Sequence, residues 1–321
     1  MPSDFAAAAT PIELHPLPVS EAETVSGLAL VGDRDPRQAP RLVLAHDVLP
    51  AGRRLAVMDL AGGAPAPLAG FLHRAAWAAA PDGPGALQVV ATDNGSAGSG
   101  LRWQGADGRS SDVSSHDRFG VYDAPVFVRP VLQAPAAVAA VGLVGGRQRP
   151  VVFLPQDGGR YAPGVVLPQP RPGVVLAVRL LRVGAGHLQA TLLFRPGAAP
   201  RQRTPRPADG LVQGGWLECQ RLDAELRPLG DAWRPFGDGT VWEFDAEAVG
   251  DRAVLLATVD GGLALAVGVA AVGAVPPLHV PSTTALQAPA VLAAGGVLHV
   301  AALAGRASPR ATVLLGQMRL P

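Results

Sequence analysis

Short apolar runs separated by turn-forming residues recur along the whole chain. From Leu28 on, strand-length runs follow one another at Leu28–Val31, Arg41–His46, Arg54–Leu60, Phe71–Ala78 and Ala86–Thr92. Segments typical of turns lie between them, such as GDRDP, AGGAP, PDGPG and DNG. No segment combines a sustained 3.6-residue period with helix caps. The pattern predicts an all-β protein.

One apolar hairpin pattern has echoes elsewhere in the chain. Leu286–Leu303, LQAPAVLAAGGVLHVAAL, reads as two apolar strands around a Gly-Gly turn, and its opening LQAPA also occurs at Leu132–Ala136, 154 positions earlier. Short apolar segments similar to its second strand occur at Leu55–Asp59, Leu87–Ala91, Val151–Leu154, Leu188–Leu192, Val254–Thr258 and Leu298–Ala302. The offset divides into three units of about 51 residues, close to the length of a four-stranded propeller blade.

Such repeats bury their strands best when they stand side by side around an axis. Near-continuous apolar strands such as Gly173–Leu181 are apolar on both faces, and stacked four-stranded units cover both faces of each sheet. We therefore expect an all-β, six-bladed β-propeller, with seven blades as the alternative. The uneven spacing of the segments requires insertions near residues 96–118 and 197–212, both of which read as loops.

The two ends of the chain are expected to meet in one sheet. Residues 1–23 read as a lead-in with a possible closing strand, and residues 24–321 as the propeller. We expect Thr312–Leu320 to pair with either Pro11–Pro16 or Leu28–Val31, and this pairing would close the ring.

A resemblance supports the same fold class. Within Trp216–Pro235, the stretch RLDAELRPLG has a strand ending in Leu-Asp, a polar turn and a second strand that starts around Pro-Leu-Gly. It resembles the outer hairpin of repeats found in large bacterial β-propellers. The resemblance covers about twenty residues and implies the propeller superfamily without a particular member. Since that superfamily includes scaffolds, lectins, lyases and glycosidases, the fold alone does not give the function.

Composition narrows the classes of function. Hydrophobic residues make up 48% and charged residues 17% of the 321 residues, which excludes a disordered chain. All 27 basic residues are Arg, and Asn94 and Ile12 are the single residues of their types. This bias indicates a GC-rich, bacterial genome, with selection against lysine as the alternative. The net charge of +1 and the lack of a concentrated basic face argue against nucleic-acid binding.

Cysteine usage and the N-terminus add two further expectations. Cys219 is the single cysteine, so no disulfide forms within the chain, and we expect Cys219 to be a small buried hydrophobe. The start, MPSDFAAAATPIEL, lacks the basic region of a signal peptide, and the apolar runs are too short to span a bilayer. We therefore predict a cytoplasmic protein with no membrane partner.

Few residues form a recognisable catalytic or metal-binding pattern. Ser110–Asp117, SSDVSSHD, gathers triad-type residues, of which Ser115, His116 and Asp117 are the group to test, but it lacks a G-x-S-x-G elbow. The histidines form no metal-binding pair, and a three-histidine site assembled from different blades stays open. They are His15, His46, His73, His116, His187, His279 and His299.

The acidic turns do not match known ligand motifs. The stretches DRD at Asp33–Asp35, DNG at Asp93–Gly95 and the Asp238-Gly239 pair are ordinary turn chemistry, since calcium loops need several oxygen ligands at defined spacing. Gly237–Trp242, GDGTVW, departs from the aspartate box of sialidase-like propellers, because Gly237 stands where Ser or Thr is required. We expect no cofactor and name no catalytic or metal residue.

The sequence therefore favours a non-catalytic protein-binding or scaffold propeller in a bacterial multi-protein assembly. Arg-rich loops with scattered tryptophans (Trp77, Trp103, Trp216, Trp233 and Trp242) suit a protein interface. One alternative is a carbohydrate-binding or glycoside-cleaving propeller, and another is a small-molecule hydrolase with a channel metal. Two carboxylates or three histidines at one end of the channel would favour the enzyme alternatives, and a mouth of Ala, Val and backbone would favour a binding module.

Overall fold

The computed structural model describes most of the chain. The described residues are 12–17, 24–33, 38–48, 52–60, 64–72, 76–95, 98–114, 122–197, 201–202, 211–269, 276–305 and 312–320. Within them the fold is all-β, as predicted, apart from one three-residue turn of 3-10 helix at Asp157–Gly159. No helix in these ranges has the length and apolar character needed to cross a membrane.

The strands of the first half form three antiparallel four-stranded sheets after a short first strand, β1 (His15–Leu17). Sheet one contains β2 (Thr24–Val31), β3 (Arg41–Val48), β4 (Gly52–Asp59) and β5 (Ala66–Leu72). Sheet two contains β6 (Trp77–Gly83), β7 (Ala86–Gly95), β8 (Gly98–Gln104) and β9 (Ser110–Asp112), and sheet three contains β10 (Tyr122–Phe127), β11 (Val138–Val144), β12 (Arg147–Phe153) and β13 (Val165–Val166).

The second half contains one large sheet, a small ribbon and a fourth four-stranded sheet. The large sheet contains β14 (Val175–Val183), β15 (Gly186–Phe194), β18 (Gly215–Leu222), β19 (Pro228–Trp233), β20 (Val241–Val249), β21 (Arg252–Val259), β22 (Gly262–Val269) and β23 (Leu278–Pro281). The ribbon pairs β16 (Arg201–Gln202) with β17 (Leu211–Val212), and the last sheet joins β1 to β24 (Leu286–Ala294), β25 (Val297–Ala304) and β26 (Thr312–Arg319).

The predicted blade number is wrong. In the described part of the chain, four four-stranded sheets stand as separate blades, and one continuous eight-stranded sheet occupies the region between the third and the last of them. The two halves of that sheet are joined where Gly215 of β18 pairs with Val241 of β20. Gly215 also allows β15 to lie close to β18, because a Cβ there would lie 2.4 Å from the Leu193 carbonyl oxygen.

The prediction of a closed ring of six blades fails together with the predicted blade number. What the structure shows at the chain ends is an antiparallel pairing of β1 with β26, in which His15 lies opposite Leu315 and Leu17 opposite Val313. Leu28–Val31, the other candidate for this pairing, belongs to β2 instead. Gly316 lets the N-terminal segment lie close to β26, since a Cβ there would lie 2.6 Å from Ile12 Cγ2.

Apolar side chains fill the space between successive sheets. Leu30 and Leu44 of sheet one pack with Leu303 of the last sheet, and Val254 and Leu256 of the large sheet pack against the other side of that last sheet. Separate clusters join sheets one and two, sheets two and three, and sheet three and the large sheet. Burial on both faces explains why the strands read as nearly continuous apolar runs.

The structure tests the predicted loops, the predicted hairpin and the predicted burial of Cys219. The region near residues 96–118, read as a loop, contains β8 and β9, and the region near 197–212 contains the β16–β17 ribbon. The stretch with the propeller resemblance is a hairpin, as predicted: β18 pairs with β19 around a turn at Asp223–Arg227. Cys219 is fully buried in the core of the large sheet, and burial raises the pKa of its thiol.

Candidate functional site

Residues from all the sheets meet at one pocket of about 410 Å³. Each of the strands β2, β6, β10, β14, β20 and β24 contributes residues to the wall. Four of these strands come from the four separate blades, and β14 and β20 come from the large sheet. Convergence of strands from successive sheets is the geometry expected at the mouth of a propeller channel. The polar and aromatic side chains of the wall are Trp77, Asp123, Arg179, Trp242, Glu243 and Phe244, with Ser26 and Gln213 beside them.

The strands are irregular where they line this pocket. Strand pairing shifts register between Val25 and Gly27, between Asp123 and Val126, between Val175 and Ala177, between Val241 and Glu243, and between Gln287 and Ala290. Two of these bulges place an alanine in the left-handed region, with φ of 47° at Ala124 and 46° at Ala288. Because bulges redirect side chains and left-handed non-glycine residues are costly, their concentration at one pocket marks a candidate site.

Two carboxylates of the pocket are held by the amides of these bulges. Asp123 Oδ1 accepts a hydrogen bond of 2.7 Å from the amide of Ala124, and Glu243 Oε2 accepts one of 2.9 Å from the amide of Ala288. The second bond crosses from β20 to β24, so Glu243 also links two sheets. A carboxylate has about four acceptor sites, so a ligand hydroxyl can donate to a carboxylate that already accepts a hydrogen bond from an amide.

Arg179 supplies positive charge to the same pocket. Its guanidinium carbon lies 5.1 Å from the centre of the Phe244 ring, within the range of a cation–π contact. Its Nε donates to Asp245 Oδ1 at 3.0 Å, and Nη2 donates to the Phe244 carbonyl at 3.1 Å. These contacts fix the plane of the guanidinium at the pocket wall, where its side chain is 20% exposed.

A buried ion-pair network lies further along β20 and links three sheets. Nη1 of Arg129 donates to Asp245 Oδ2 at 3.2 Å, to Glu247 Oε2 at 3.1 Å and to the Val291 carbonyl at 2.9 Å. Asp245 Oδ2 also accepts from the Val291 amide at 3.1 Å. Arg129, just beyond β10, therefore ties sheet three to the large sheet and to the last sheet. We call Arg129, Arg179, Asp245 and Glu247 the channel network.

The ionisation of the channel network follows from burial and pairing. Burial disfavours every charge in it, but Arg129 and Arg179 hold the pKa of Asp245 below its usual value. Burial raises the pKa of Glu247 to about 7, against the attraction of Arg129 and together with repulsion from Asp245. Burial lowers the pKa of Arg179, because it disfavours the charged guanidinium, although the attraction of Asp245 opposes that shift. Glu247 is thus the member of the network that titrates near neutral pH.

The sequence-predicted candidates lie away from this site or outside the described residues. Ser115, His116 and Asp117 are not among the described residues, and neither are His73 and His116 of the histidine set. The remaining histidines lie on separate strands, His46 on β3, His187 on β15, His279 on β23 and His299 on β25, with His15 on β1. Within the described ranges no three His, Cys, Asp or Glu side chains are grouped to hold a metal ion.

The tryptophans divide between core and surface. Trp103, Trp233 and Trp242 are buried, while Trp77 is partly exposed at the pocket. Two guanidinium groups make cation–π contacts with Trp216, with the guanidinium carbons of Arg234 and Arg195 at 4.5 Å and 5.6 Å from its ring centre. These contacts lie on the large sheet, since Trp216 belongs to β18.

Sequence reasoning missed the acidic residues of β20. The segment WEFDAE places Glu243, Asp245 and Glu247 at alternate positions of an otherwise apolar strand. Alternate residues share one side of a strand, so this spacing indicates three carboxylates facing one direction. The signal was available in the sequence, whereas the positions of Arg129 and Arg179 opposite it depend on the assembled sheets.

Among comparisons with known proteins, only those with solved structures find similar proteins, and these show the fold alone. No protein-family model matches the chain, and no curated protein gives a significant match. A solved structure from Dyadobacter fermentans has a TM-score of 0.68 at 7% identity and covers 98% of this chain and 99% of its own. A gluconolactonase from Xanthomonas campestris has a TM-score of 0.52 at 14% identity, covering 98% and 97%.

A sialidase from Trypanosoma rangeli, solved with sialic acid, also has a similar structure. Its TM-score is 0.55 at 10% identity, and the match covers 98% of this chain and 59% of the sialidase. The structural neighbours are propeller proteins. At these identities the likeness shows the fold alone, and this chain has a β-propeller fold.

Proposed function

We propose that the protein binds a small carbohydrate in the pocket at the channel mouth. The observation that carries this proposal is the convergence of Asp123, Glu243 and Arg179 with the partly exposed ring of Trp77. Sugars present hydroxyl groups at their edges and C–H groups on their faces. Fixed carboxylates accept hydrogen bonds from the hydroxyls, an aromatic ring packs on the apolar face, and a guanidinium binds an anionic substituent.

The size and wall of the pocket support this ligand class. Its volume of about 410 Å³ lies in the range of ~300–1,000 Å³ typical of small-molecule sites. Two carboxylates, Asp123 and Glu243, line the same pocket, an arrangement expected to favour the enzyme alternatives, which include a glycoside-cleaving propeller. The structural neighbours include a sialidase solved in complex with sialic acid and a gluconolactonase important in glucose secondary metabolic pathways.

Saturation-transfer NMR tests the proposal. The full chain is mixed in turn with sialic acid, gluconate, glucose and galactose, and at least one sugar is expected to receive saturation from the protein. Glu243→Gln keeps an oxygen for the Ala288 amide but removes the charge, and it should weaken that binding about tenfold. Glu225→Gln, on the exposed β18–β19 turn, is the matched control and should bind as the wild type does.

Two outcomes would count against a carbohydrate site. The first is the absence of saturation transfer to every sugar of the panel. The second is binding that Glu243→Gln and Glu225→Gln weaken equally, because the pocket would then play no part in it. Release of p-nitrophenol from a p-nitrophenyl glycoside of the bound sugar, added in a separate sample, would show hydrolysis of a glycosidic bond and favour the glycoside-cleaving form of the hypothesis.

A protein-binding role has separate support at the outer edge of sheet three. Val165 and Val166 form β13, which pairs with β12 on one side, and their residues are 42% and 41% exposed. An apolar edge strand is a template for pairing with a strand of another protein. This observation supports the scaffold hypothesis, in which a cytoplasmic bacterial assembly supplies the partner.

The protein-binding proposal is tested by co-purification from the native organism. Val166→Lys places a charge on the exposed edge and should reduce recovery of a partner that adds a strand there. Leu229→Lys, at an equally exposed apolar position of β19, is the control. Equal recovery with both variants would show that β13 is not the binding edge.

A further inference from the structure

A group of buried polar side chains lies on one face of the large sheet, away from the channel-mouth pocket. Gln189 and Thr191 of β15 lie opposite Gln220 and Glu218 of β18, respectively. All four residues are buried, with exposures of 1% to 6%. Because the residues alternate along paired strands, the four side chains project from the same face. Buried polar groups require partners, so this cluster requires a physical explanation.

The nitrogen atoms of the two amides are already engaged. Gln189 Nε2 donates to the Pro168 carbonyl at 2.9 Å and to Thr191 Oγ1 at 3.0 Å, and Gln220 Nε2 donates to the Gly230 carbonyl at 3.3 Å. Turning either amide over would place its oxygen against a carbonyl oxygen. The hydrogen-bond network therefore fixes both Oε1 atoms as acceptors.

Three buried acceptor oxygens of this cluster have no donor within the described protein. They are Gln189 Oε1, Gln220 Oε1 and Glu218 Oε2. The other carboxylate oxygen, Glu218 Oε1, is paired with Arg171 at 3.0 Å and with Arg234 at 3.2 Å. The three residues line one small cavity of about 10 Å³, which Gln169 and Pro170 cover. A cavity of that size holds one water-sized species.

We propose that this cavity binds a single monovalent cation, such as Na⁺ or K⁺. A water molecule has two protons and would leave one of the three oxygens without a partner. A cation of similar size is satisfied by all three oxygens at once, and Thr191 Oγ1 adds a fourth. The site offers one carboxylate whose charge two guanidiniums already share, and about four protein oxygens. Ca²⁺ takes ~6–8 oxygen ligands and favours several carboxylates, so the composition of the site favours a single positive charge.

The site has a structural consequence for the fold. It joins β15 and β18 to the segment that connects sheet three to the large sheet, because Pro168, Gln169 and Pro170 cover the cavity. A bound cation would therefore stabilise the packing of these two sheets. A ligand that binds only the folded state raises the unfolding temperature as its concentration rises.

Thermal unfolding of the full chain in different salts tests this inference. The protein is unfolded in NaCl, KCl and N-methyl-D-glucamine chloride at equal ionic strength. We expect a rise in unfolding temperature of about 2–4 °C in NaCl or KCl, with saturation at high concentration, because a saturable site contributes stability that ionic strength alone does not. Identical unfolding in the three salts would overturn the proposal.

Two glutamine variants locate the effect. Gln220→Met removes one ligand oxygen and should abolish the difference between NaCl and N-methyl-D-glucamine chloride. Gln88→Met is the matched control, since Gln88 is an equally buried strand glutamine whose Oε1 accepts from Trp103 Nε1 at 2.7 Å and from the Ala136 amide at 3.1 Å. It should keep the salt difference, and retention of that difference in Gln220→Met would contradict the assignment.

A crystallographic measurement on the wild type does not depend on any variant folding. Crystals grown with thallium(I) in place of sodium should show an anomalous peak within the cavity, between the oxygens of Gln189, Glu218 and Gln220. A single water peak without anomalous signal would show that the cavity holds water only, and the cation proposal would then be wrong.

Discussion

Strand β20 places its carboxylates in two different environments within five residues, Glu243 to Glu247. At Glu243 the strand is bulged and the carboxylate meets a backbone amide of β24, next to an open pocket. At Asp245 and Glu247 the pairing with β21 is regular and the carboxylates meet Arg129. The comparison indicates that the groups on the neighbouring strands determine whether a carboxylate of β20 lines a ligand site or forms a structural cross-link between sheets. A carboxylate beside an open pocket is accessible to a ligand hydroxyl, whereas a buried carboxylate opposite a guanidinium is held in an ion pair.

Removal of Arg129 should have the largest effect, because the channel network is structural. Arg129→Met leaves the buried carboxylate of Glu247 without its cation, and we expect the free energy of unfolding to fall by about 3–5 kcal/mol. Arg102→Met, at an exposed position of β8, should change it by less than about 0.5 kcal/mol. Urea unfolding followed by circular dichroism measures both, and similar small losses in the two variants would show that the network contributes little.

The raised pKa of Glu247 predicts an unusual dependence of stability on pH. The carboxyl group titrates near 4.5 when unfolded and at about 7 in the folded protein. The folded state therefore binds the proton more tightly, and this group makes stability fall as pH rises from about 4.5 to about 7. The pKa of Asp245 is lowered instead, so its contribution is present above its unfolded value and is lost in more acidic solution.

Glu247→Gln separates these two contributions. The variant should lose the decline in stability between pH 4.5 and 7 while keeping the acid-side loss that Asp245 causes. The free energy of unfolding measured at half-unit pH intervals gives both slopes. Glu225→Gln, in an exposed turn, should leave the wild-type curve intact, and an unchanged decline in Glu247→Gln would assign it to another group.

A substitution at the strained bulge of Ala288 should stabilise the protein, by less than the loss of Arg129 destabilises it. Ala288 has a φ of 46°, which glycine adopts without a steric cost. Ala288→Gly should therefore raise the free energy of unfolding by about 0.5 kcal/mol, the relieved strain exceeding the added chain entropy. Ala290→Gly, two residues along the same strand, should lower it by about 1–2 kcal/mol through lost burial and added entropy. Destabilisation by both variants to the same extent would show that no strain is stored at the bulge.

The class of fold could be predicted from the sequence because its signals are local. The hairpin predicted at Leu286–Leu303 is β24 and β25, joined at Gly295 and Gly296. The blade number could not be predicted, since it depends on the single pairing of Gly215 with Val241 between distant segments.

The two LQAPA segments have the same sequence but do not occupy equivalent positions in the fold. The copy at Leu286–Ala290 lies in β24 and forms a pocket bulge, whereas the copy at Leu132–Ala136 lies between β10 and β11. The structural counterpart of the copy in β24 is Asp123-Ala124-Pro125 in β10, because Ala124 and Ala288 both adopt the left-handed conformation at a bulge. A polar residue followed by Ala-Pro inside an apolar strand is the local signal that both pocket bulges share.

The central claim is that the mouth of the channel binds ligand and the adjacent network holds the sheets together. Its most direct test is the shift in unfolding temperature that a saturating sugar from the panel produces, measured side by side for Glu243→Gln and Glu247→Gln. These glutamates lie four residues apart on β20, so the two variants differ little except in which region they alter. We predict that Glu243→Gln loses the sugar-induced shift and Glu247→Gln keeps it. An equal shift in both variants, or its loss in Glu247→Gln alone, would contradict the account.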